Sequence, residues 1–160
     1  MSALLPWAWV LPLPGLLLTA LGAGRRPGVA SVPGPFLLLA AALLWLVAGA
    51  EPATVVVDGW LPFLPDGALR LRADGLSVAM LAVVGFVAAC VYVYSLAYME
   101  GDPGQRRFFA YLDLFVAAMA VLVLAGNLAV LLVGWTGVGL ASFLLISFWW
   151  ERPGTVTAGL

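Results

Sequence analysis

The sequence predicts an all-α membrane protein of about five transmembrane helices with a short extracytoplasmic β-hairpin. Three observations carry that expectation. Of 160 residues, 64% are hydrophobic and only 9% charged, and the mean hydropathy of +1.11 exceeds what a soluble domain of this size keeps in solution. Apolar runs recur at close to the roughly 20 residues needed to cross a hydrocarbon core of about 30 Å. With one exception, Asp113, the charged residues lie between those runs or at their edges.

The first run, Leu4–Gly22, precedes Arg25 and Arg26 instead of following a basic segment, so it reads as a retained span and not as a signal peptide. The second is Val32–Ala50. The connection that follows, "EPATVVVDGWLPFLPDGALRLRADG", is the only long one. Its strand-like stretches Thr54–Val57 and Ala68–Arg72 flank a Pro- and Gly-rich turn, which predicts a hairpin on the outer membrane surface, with an irregular loop as the alternative. Trp60 and Phe63 on that side, and Trp149 and Trp150 on the other, suit the interfacial belts where aromatic rings concentrate.

Three more runs follow: Leu76–Met99, Phe108–Ala125 and Leu128–Trp150. As one helix, residues 108 to 150 would extend about 65 Å, twice the membrane, so a turn at Gly126-Asn127 must fold them into a helical hairpin. The organisation expected is therefore two spans over 1–50, the extracytoplasmic connection over 51–75, and three spans over 76–160. The chain has no lysine, and its seven arginines orient it. Arg25, Arg26, Arg106, Arg107 and Arg152 fall in one set of alternate connections, Arg70 and Arg72 in the other. The bias places the first set in the cytoplasm, the N-terminus outside and the C-terminus inside.

Composition also excludes functions. A net charge of -1 without clustered Lys or Arg gives no footprint for nucleic acid. With no histidine and a single cysteine, Cys90, there is no ligand set for zinc or an iron–sulfur cluster and no internal disulfide. Cys90, inside an apolar run, reads as a small buried residue. No serine has a base in reach by sequence, and Glu100 and Asp102 read as a solvated cytoplasmic turn.

Asp113 is the one ionisable residue well inside a span, six residues after Arg107 and hence about 9 Å along the helix. Phe109, Ala110, Val116, Ala117 and Ala120 share its side of the helix, a small-residue face suited to neighbouring helices. A carboxyl there is costly unless paired, protonated or wetted, so two readings stand: a structural hydrogen-bonding group, which includes snorkelling toward Arg106, or a proton relay. In the last span, Gly134, Gly137 and Ala141 fall on one face and form a groove for close helix approach. Thr136 lies elsewhere, in line with Leu132, Leu140, Phe143 and Ser147, where its hydroxyl is expected to bond back to the Leu132 carbonyl. "GVGLAS" has no lysine and follows no strand, so it is not a phosphate loop.

Residues Asp74 to Trp150, with "YME" and "RFFAY" followed by "GWTGVGLASFLLISFWW", closely resemble the N-terminal third of the NuoL-type (chain 5) antiporter-like subunit of respiratory complex I, the proton-pumping NADH:quinone oxidoreductase. The first 73 residues match it only in character. The resemblance implies an antiporter-like bundle whose fourth and fifth spans begin the first of two inverted repeats. It also implies residence in a bacterial-type plasma membrane or its mitochondrial inner-membrane equivalent, beside other membrane subunits. No cofactor is expected in this chain; NADH, quinone, flavin and iron–sulfur clusters are expected only in partner subunits. The family's proton route uses a glutamate in the fifth span, and Thr136 stands in its place. Gly126 replaces an acidic residue usual before the asparagine of the short turn, whereas Asp113 stands where the family usually has a neutral polar residue. The lysines that the family's glutamate faces belong to spans beyond Leu160, so these residues alone are not expected to form the half-channel.

The expected function is thus a contribution to proton translocation in a complex I-like assembly, with Asp113 and Thr136 as proton-pathway candidates. Two alternatives stand beside it. One is a non-conducting scaffold or truncated remnant packing through the Gly134/Gly137/Ala141 groove; the other is a subunit of an Mrp-type cation/proton antiporter.

Overall fold

The computed structural model describes residues 29, 31–49, 51–58 and 68–149. Four helices and a two-stranded sheet follow one another over these residues: α1 (Pro33–Val47), β1 (Ala53–Val57), β2 (Leu69–Ala73), α2 (Gly75–Tyr98), α3 (Gln105–Val123) and α4 (Leu128–Ile146). The expected first span, Leu4–Gly22, lies outside the described residues, as do Trp60, Phe63 and Trp150.

α1 begins with proline in its first turn, where a missing N–H costs nothing. It ends where Gly49 takes a left-handed φ of 57°. Gly34, Pro35, Leu38, Ala42 and Trp45 are buried at helical spacing. α2 starts from a reciprocal cap in which Asp74 accepts from the Ser77 amide at 2.9 Å and the Asp74 amide donates to the Ser77 hydroxyl at 2.7 Å. The bond from the Ser77 amide, followed by that from its hydroxyl, holds the Asp74 carboxyl below the usual carboxylate range. Gly101, with φ of 82°, turns the chain from α2 toward α3, and Asp102 accepts from the Gly104 amide at 2.6 Å.

The hairpin is antiparallel, pairing Ala53 with Ala73, Val55 with Leu71 and Val57 with Leu69; β1 starts one residue before the expected strand and β2 lies one residue further along the chain. Leu71 and Ala73 point inward while Arg70 and Arg72 are exposed, the alternation of a sheet with one wet face. The far edge of β2 is occupied as well. Arg72 donates its amide to the Leu124 carbonyl and the Gly126 amide donates to the Arg70 carbonyl, both at 2.7 Å. The Asn127 side-chain amide donates to the Ala68 carbonyl at 2.8 Å while its oxygen caps α4 by accepting from the Val130 amide at 3.0 Å. A Cβ on Gly126 would lie 2.9 Å from the Arg70 carbonyl oxygen, so a side chain there would push the sheet off the turn.

The helices pack as two close pairs. In the first, the Gly85 position of α2 faces the α1 backbone, and an added Cβ would meet the Leu39 nitrogen at 2.9 Å. In the second, Gly134 of α4 faces α3, where an added Cβ would come within 2.8 Å of the Leu122 nitrogen and Cα. One turn on, a Cβ at Gly137 would meet the Ala118 Cβ at 3.0 Å, and Ala141 is fully buried. Gly139 has open space beside it. α2 and α3 diverge, leaving between them a cavity of about 390 Å³.

Among the described residues two helices, Gly75–Tyr98 and Leu128–Ile146, are long and apolar enough to cross a membrane. α1, with 15 residues, is shorter than the expected span, and α3 carries Arg106, Arg107 and Asp113 within its 19 residues. The fifth expected span also ends early. The helix stops at Ile146, and Phe148 turns back so that the Arg107 guanidinium lies 5.0 Å from its ring centre and donates to its carbonyl at 3.3 Å. Cys90 departs from its expected burial: it is exposed on α2. A small apolar side chain facing hydrocarbon loses nothing by exposure, so the rule that free cysteine is buried, drawn from soluble folds, does not carry over.

Two outcomes test this packing. Gly134→Leu should destabilise the α3–α4 pair by about 1–3 kcal/mol, read from thermal unfolding in detergent, whereas Gly139→Ala should leave stability unchanged or raise it by up to about 1 kcal/mol. Because the folded pKa of Asp74 is depressed, the cap's contribution is present above the unfolded value of 3.8 and is lost as pH falls through the lower folded value. Hydrogen exchange at the Ser77 amide should therefore stay slow down to about pH 4 and accelerate below it, and Asp74→Asn should remove that pH dependence while keeping the cap.

Candidate functional site

Asp113 lies at the junction of three elements. The buried stripe of α3, formed by Phe109, Leu112, Asp113, Val116 and Ala120, faces the interior at i, i+3, i+4, i+7 and i+11. The buried stripe of α2 runs through Val78, Leu81, Gly85, Ala88, Tyr92 and Ser95 and brings the Tyr92 phenol to the same level. The segment entering α1 brings Ser31. Asp113, Ser31 and Tyr92 are each fully buried.

The carboxylate accepts from both hydroxyls. Tyr92 OH donates to Oδ1 at 2.6 Å and Ser31 Oγ donates to Oδ2 at 2.8 Å. The Tyr92 bond is at the short end for O–H···O contacts and the Ser31 bond has the usual length; a hydrogen bond to an ionised carboxylate is about twice as strong as a neutral one. The Tyr92 ring is fixed by an edge contact with Phe109, centroids 5.8 Å apart. Around the three residues the core is hydrocarbon, with Leu112, Val116, Leu38 and Leu81 in the same cluster. Such surroundings make an unpaired charge costly and give each hydroxyl a large role in holding it.

The arrangement can hold a proton in two ways. With Asp113 ionised, both hydroxyls donate to an acceptor-only group. When a proton binds Oδ1 or Oδ2, the neighbouring hydroxyl must turn and accept from it, a rotation about one C–O bond that moves no helix.

Thr136 is not part of this cluster. It is exposed on the outer side of α4, and its hydroxyl donates to the Leu132 carbonyl at 2.8 Å. Gly134 and Ala141 are buried against α3, with Gly137 half-buried between them. Two residues of the cluster carry no mark in the sequence reading, Ser31 and Tyr92. Tyr92 had a signal, since it is in helical phase with Val78, Leu81 and Gly85, and a phenol on a buried stripe needs a partner. Ser31, 82 residues from Asp113, had none.

The described residues thus combine a mostly helical fold, two of whose helices are long and apolar enough to cross a membrane, with a buried carboxylate held between helices. Residues 65–109 match the family described as NADH-ubiquinone oxidoreductase (complex I), chain 5 N-terminus. Over 153 residues, 90% of this chain and 25% of the relative, the sequence is 38% identical to NADH-quinone oxidoreductase subunit L of Escherichia coli K12. It is 46% identical over 100 residues to the subunit L of Mycobacterium tuberculosis H37Rv, covering 60% of this chain and 16% of that one. It is 52% identical over 79 residues to NADH-ubiquinone oxidoreductase chain 5 of Chondrus crispus, covering 49% of this chain and 12% of the relative. By sequence the chain is similar to the N-terminal part of this chain 5 (subunit L) family, an integral membrane family. It spans a quarter or less of the length of these curated relatives.

Tyr92→Phe removes one of the two hydroxyls and should cost about 1.5–3 kcal/mol, as expected for a hydrogen bond to a charged group. Thermal unfolding of the detergent-solubilised protein reads this. Adding Asp113→Asn to Tyr92→Phe should restore part of the loss, because the charge that needed the phenol is gone.

Proposed function

We propose that this chain forms part of a membrane subunit of a proton-pumping NADH:quinone oxidoreductase and contributes to proton translocation, with Asp113 as its proton-bearing group. The observation that carries this is the buried carboxylate with two hydroxyl partners, in a chain similar to the chain 5 family. In the proposed arrangement the chain crosses the bilayer five times, N-terminus outside and C-terminus cytoplasmic, and residues 76–160 open the antiporter-like repeat. Other membrane subunits flank it, and the redox chemistry of NADH, flavin, iron–sulfur clusters and quinone belongs to partner subunits.

The chemistry follows from what the side chains can do. A threonine cannot ionise, so Thr136 cannot take up a proton as a glutamate does, and its hydroxyl is occupied by the Leu132 carbonyl. Asp113 can. It lies about 9 Å inside the α3 end that carries Arg106 and Arg107, within reach of that membrane face and below the headgroups. A proton entering there neutralises the carboxylate, and the Tyr92 and Ser31 hydroxyls reorient to stabilise either state. Asp113 thus restores an ionisable group to the bundle on a different helix and a different face from position 136.

In vesicles from the native membrane, Asp113→Asn should lower NADH-driven proton uptake several-fold while the variant still co-purifies with its partner subunits. Unchanged pumping at equal electron transfer would contradict the role of Asp113, and failure to co-purify with redox subunits would contradict the assembly.

A further inference from the structure

Asp113 is fully buried, and a proton that reaches it from the end of α3 bearing Arg106 and Arg107 must pass what covers it there. That end is the charged one: Glu100, Arg106 and Arg107 are exposed, and Asp102 is half-buried in the turn between α2 and α3. Between these charges and the carboxylate stands a layer of apolar side chains. Phe109 lies one turn before Asp113 on α3, Met99 closes α2, and Phe148 follows the end of α4. Phe109 and Met99 are fully buried and Phe148 is 3% exposed. Edge contacts join the rings across the layer: Tyr92 to Phe109 at 5.8 Å, Phe109 to Phe108 at 5.9 Å and Phe108 to Phe148 at 5.3 Å. This burial comes from the chain's own side chains, so a further segment packed on this end would add to it and not undo it.

We propose that Phe148 is the gate in this layer: it closes the route for water from the Arg106/Arg107 end to Asp113 and swings out with its turn to admit a proton. Phe109 is carried inside a helix, whereas Phe148 is carried by the turn beyond α4, where its amide donates to the Leu145 carbonyl at 3.3 Å. Helix ends of this kind open locally at the least cost. The ring is seated over Gly104, where an added Cβ would lie 2.8 Å from Phe148 Cζ. Arg107 fastens it from the charged side, with its guanidinium 5.0 Å from the ring centre and a bond of 3.3 Å to the Phe148 carbonyl. Both contacts belong to an exposed cation that exchanges them readily for water.

A second observation points the same way. The Ser147 hydroxyl, in the same turn, is buried and has no hydrogen-bond partner among the described residues. An orphaned hydroxyl disfavours the closed turn, and water that enters on opening satisfies it. The cavity between α2 and α3 also borders the Tyr92 ring, but its almost wholly apolar walls offer a proton neither donors nor acceptors.

The gate rests on the reading of Asp113 as the proton-bearing group, so its test reads access instead of pumping. The chain in its native membrane assembly is treated with a water-soluble carbodiimide and an amine, and amide formation at Asp113 is followed by peptide mass spectrometry, with the exposed Glu100 as internal reference. At rest, Asp113 should react far more slowly than Glu100. Phe148→Ala should raise its rate several-fold, whereas Phe148→Leu, which keeps an apolar plug, should stay close to wild type. Arg107→Gln, which unfastens the turn without removing the ring, should raise the rate as well, and it carries the test where Phe148→Ala does not assemble. During NADH oxidation the wild-type rate should rise toward that of the open variants. Resting rates unchanged in Phe148→Ala and Arg107→Gln would overturn the gate, and so would a wild-type rate unaffected by turnover or an equal rise in Phe148→Leu. Pumping unchanged in Asp113→Asn alongside the expected access rates would instead remove the role of the carboxylate and leave its gate in place.

Discussion

A carboxylate in hydrocarbon has few stable solutions, and Asp113 adopts one that constrains the bundle around it. Charge in a low-dielectric interior must be met by donors, because no water is present to relax the field. Here the donors come from two other elements: Tyr92 from α2 and Ser31 from the segment entering α1. The hydrogen bonds therefore fix the rotation of α2 and α3 about their axes and the height at which the first helix enters. Turning α2 by a single residue would carry Tyr92 off the buried stripe and leave Oδ1 without that donor.

Glycine at helix contacts is the second device, and it works without polarity. Hydrophobic burial does not drive helices together when lipid is as apolar as leucine, so close backbone approach matters more. Gly85 against Leu39 and Gly134 against Leu122 are the points where the two helix pairs come nearest. The β2 edge, Gly126 and Asn127 tie the hairpin to the α3–α4 turn through two backbone bonds and one from the Asn127 side-chain amide. Gly126 shows how an absent side chain carries information, since any side chain there would collide with the Arg70 carbonyl in this arrangement.

Much of this was legible in the sequence, and what was not has a physical cause. The hairpin strands and the Gly126-Asn127 turn follow from β-branched runs and turn residues, which act locally, so their positions hold to within a residue or so. Helix ends were less legible: α4 stops at Ile146 because Phe148 packs against Phe108 and beneath Arg107, a contact between residues 40 apart that periodicity does not encode. Asp113 stood out as a lone charge, but its partners did not, because Ser31 comes from a distant segment and serine is unremarkable in an apolar run. Cys90 was misplaced because a rule about soluble interiors was applied to the exposed face of an apolar helix.

The central claim is that Asp113 exchanges a proton while the assembly turns over. Infrared difference spectroscopy of native vesicles during NADH oxidation tests it most directly, with wild type compared with Asp113→Asn. If Asp113 exchanges a proton, a carboxyl band changes on turnover in wild type and is missing from the difference spectrum of the variant. Identical difference spectra would contradict it and leave Asp113 as a fixed clamp between helices.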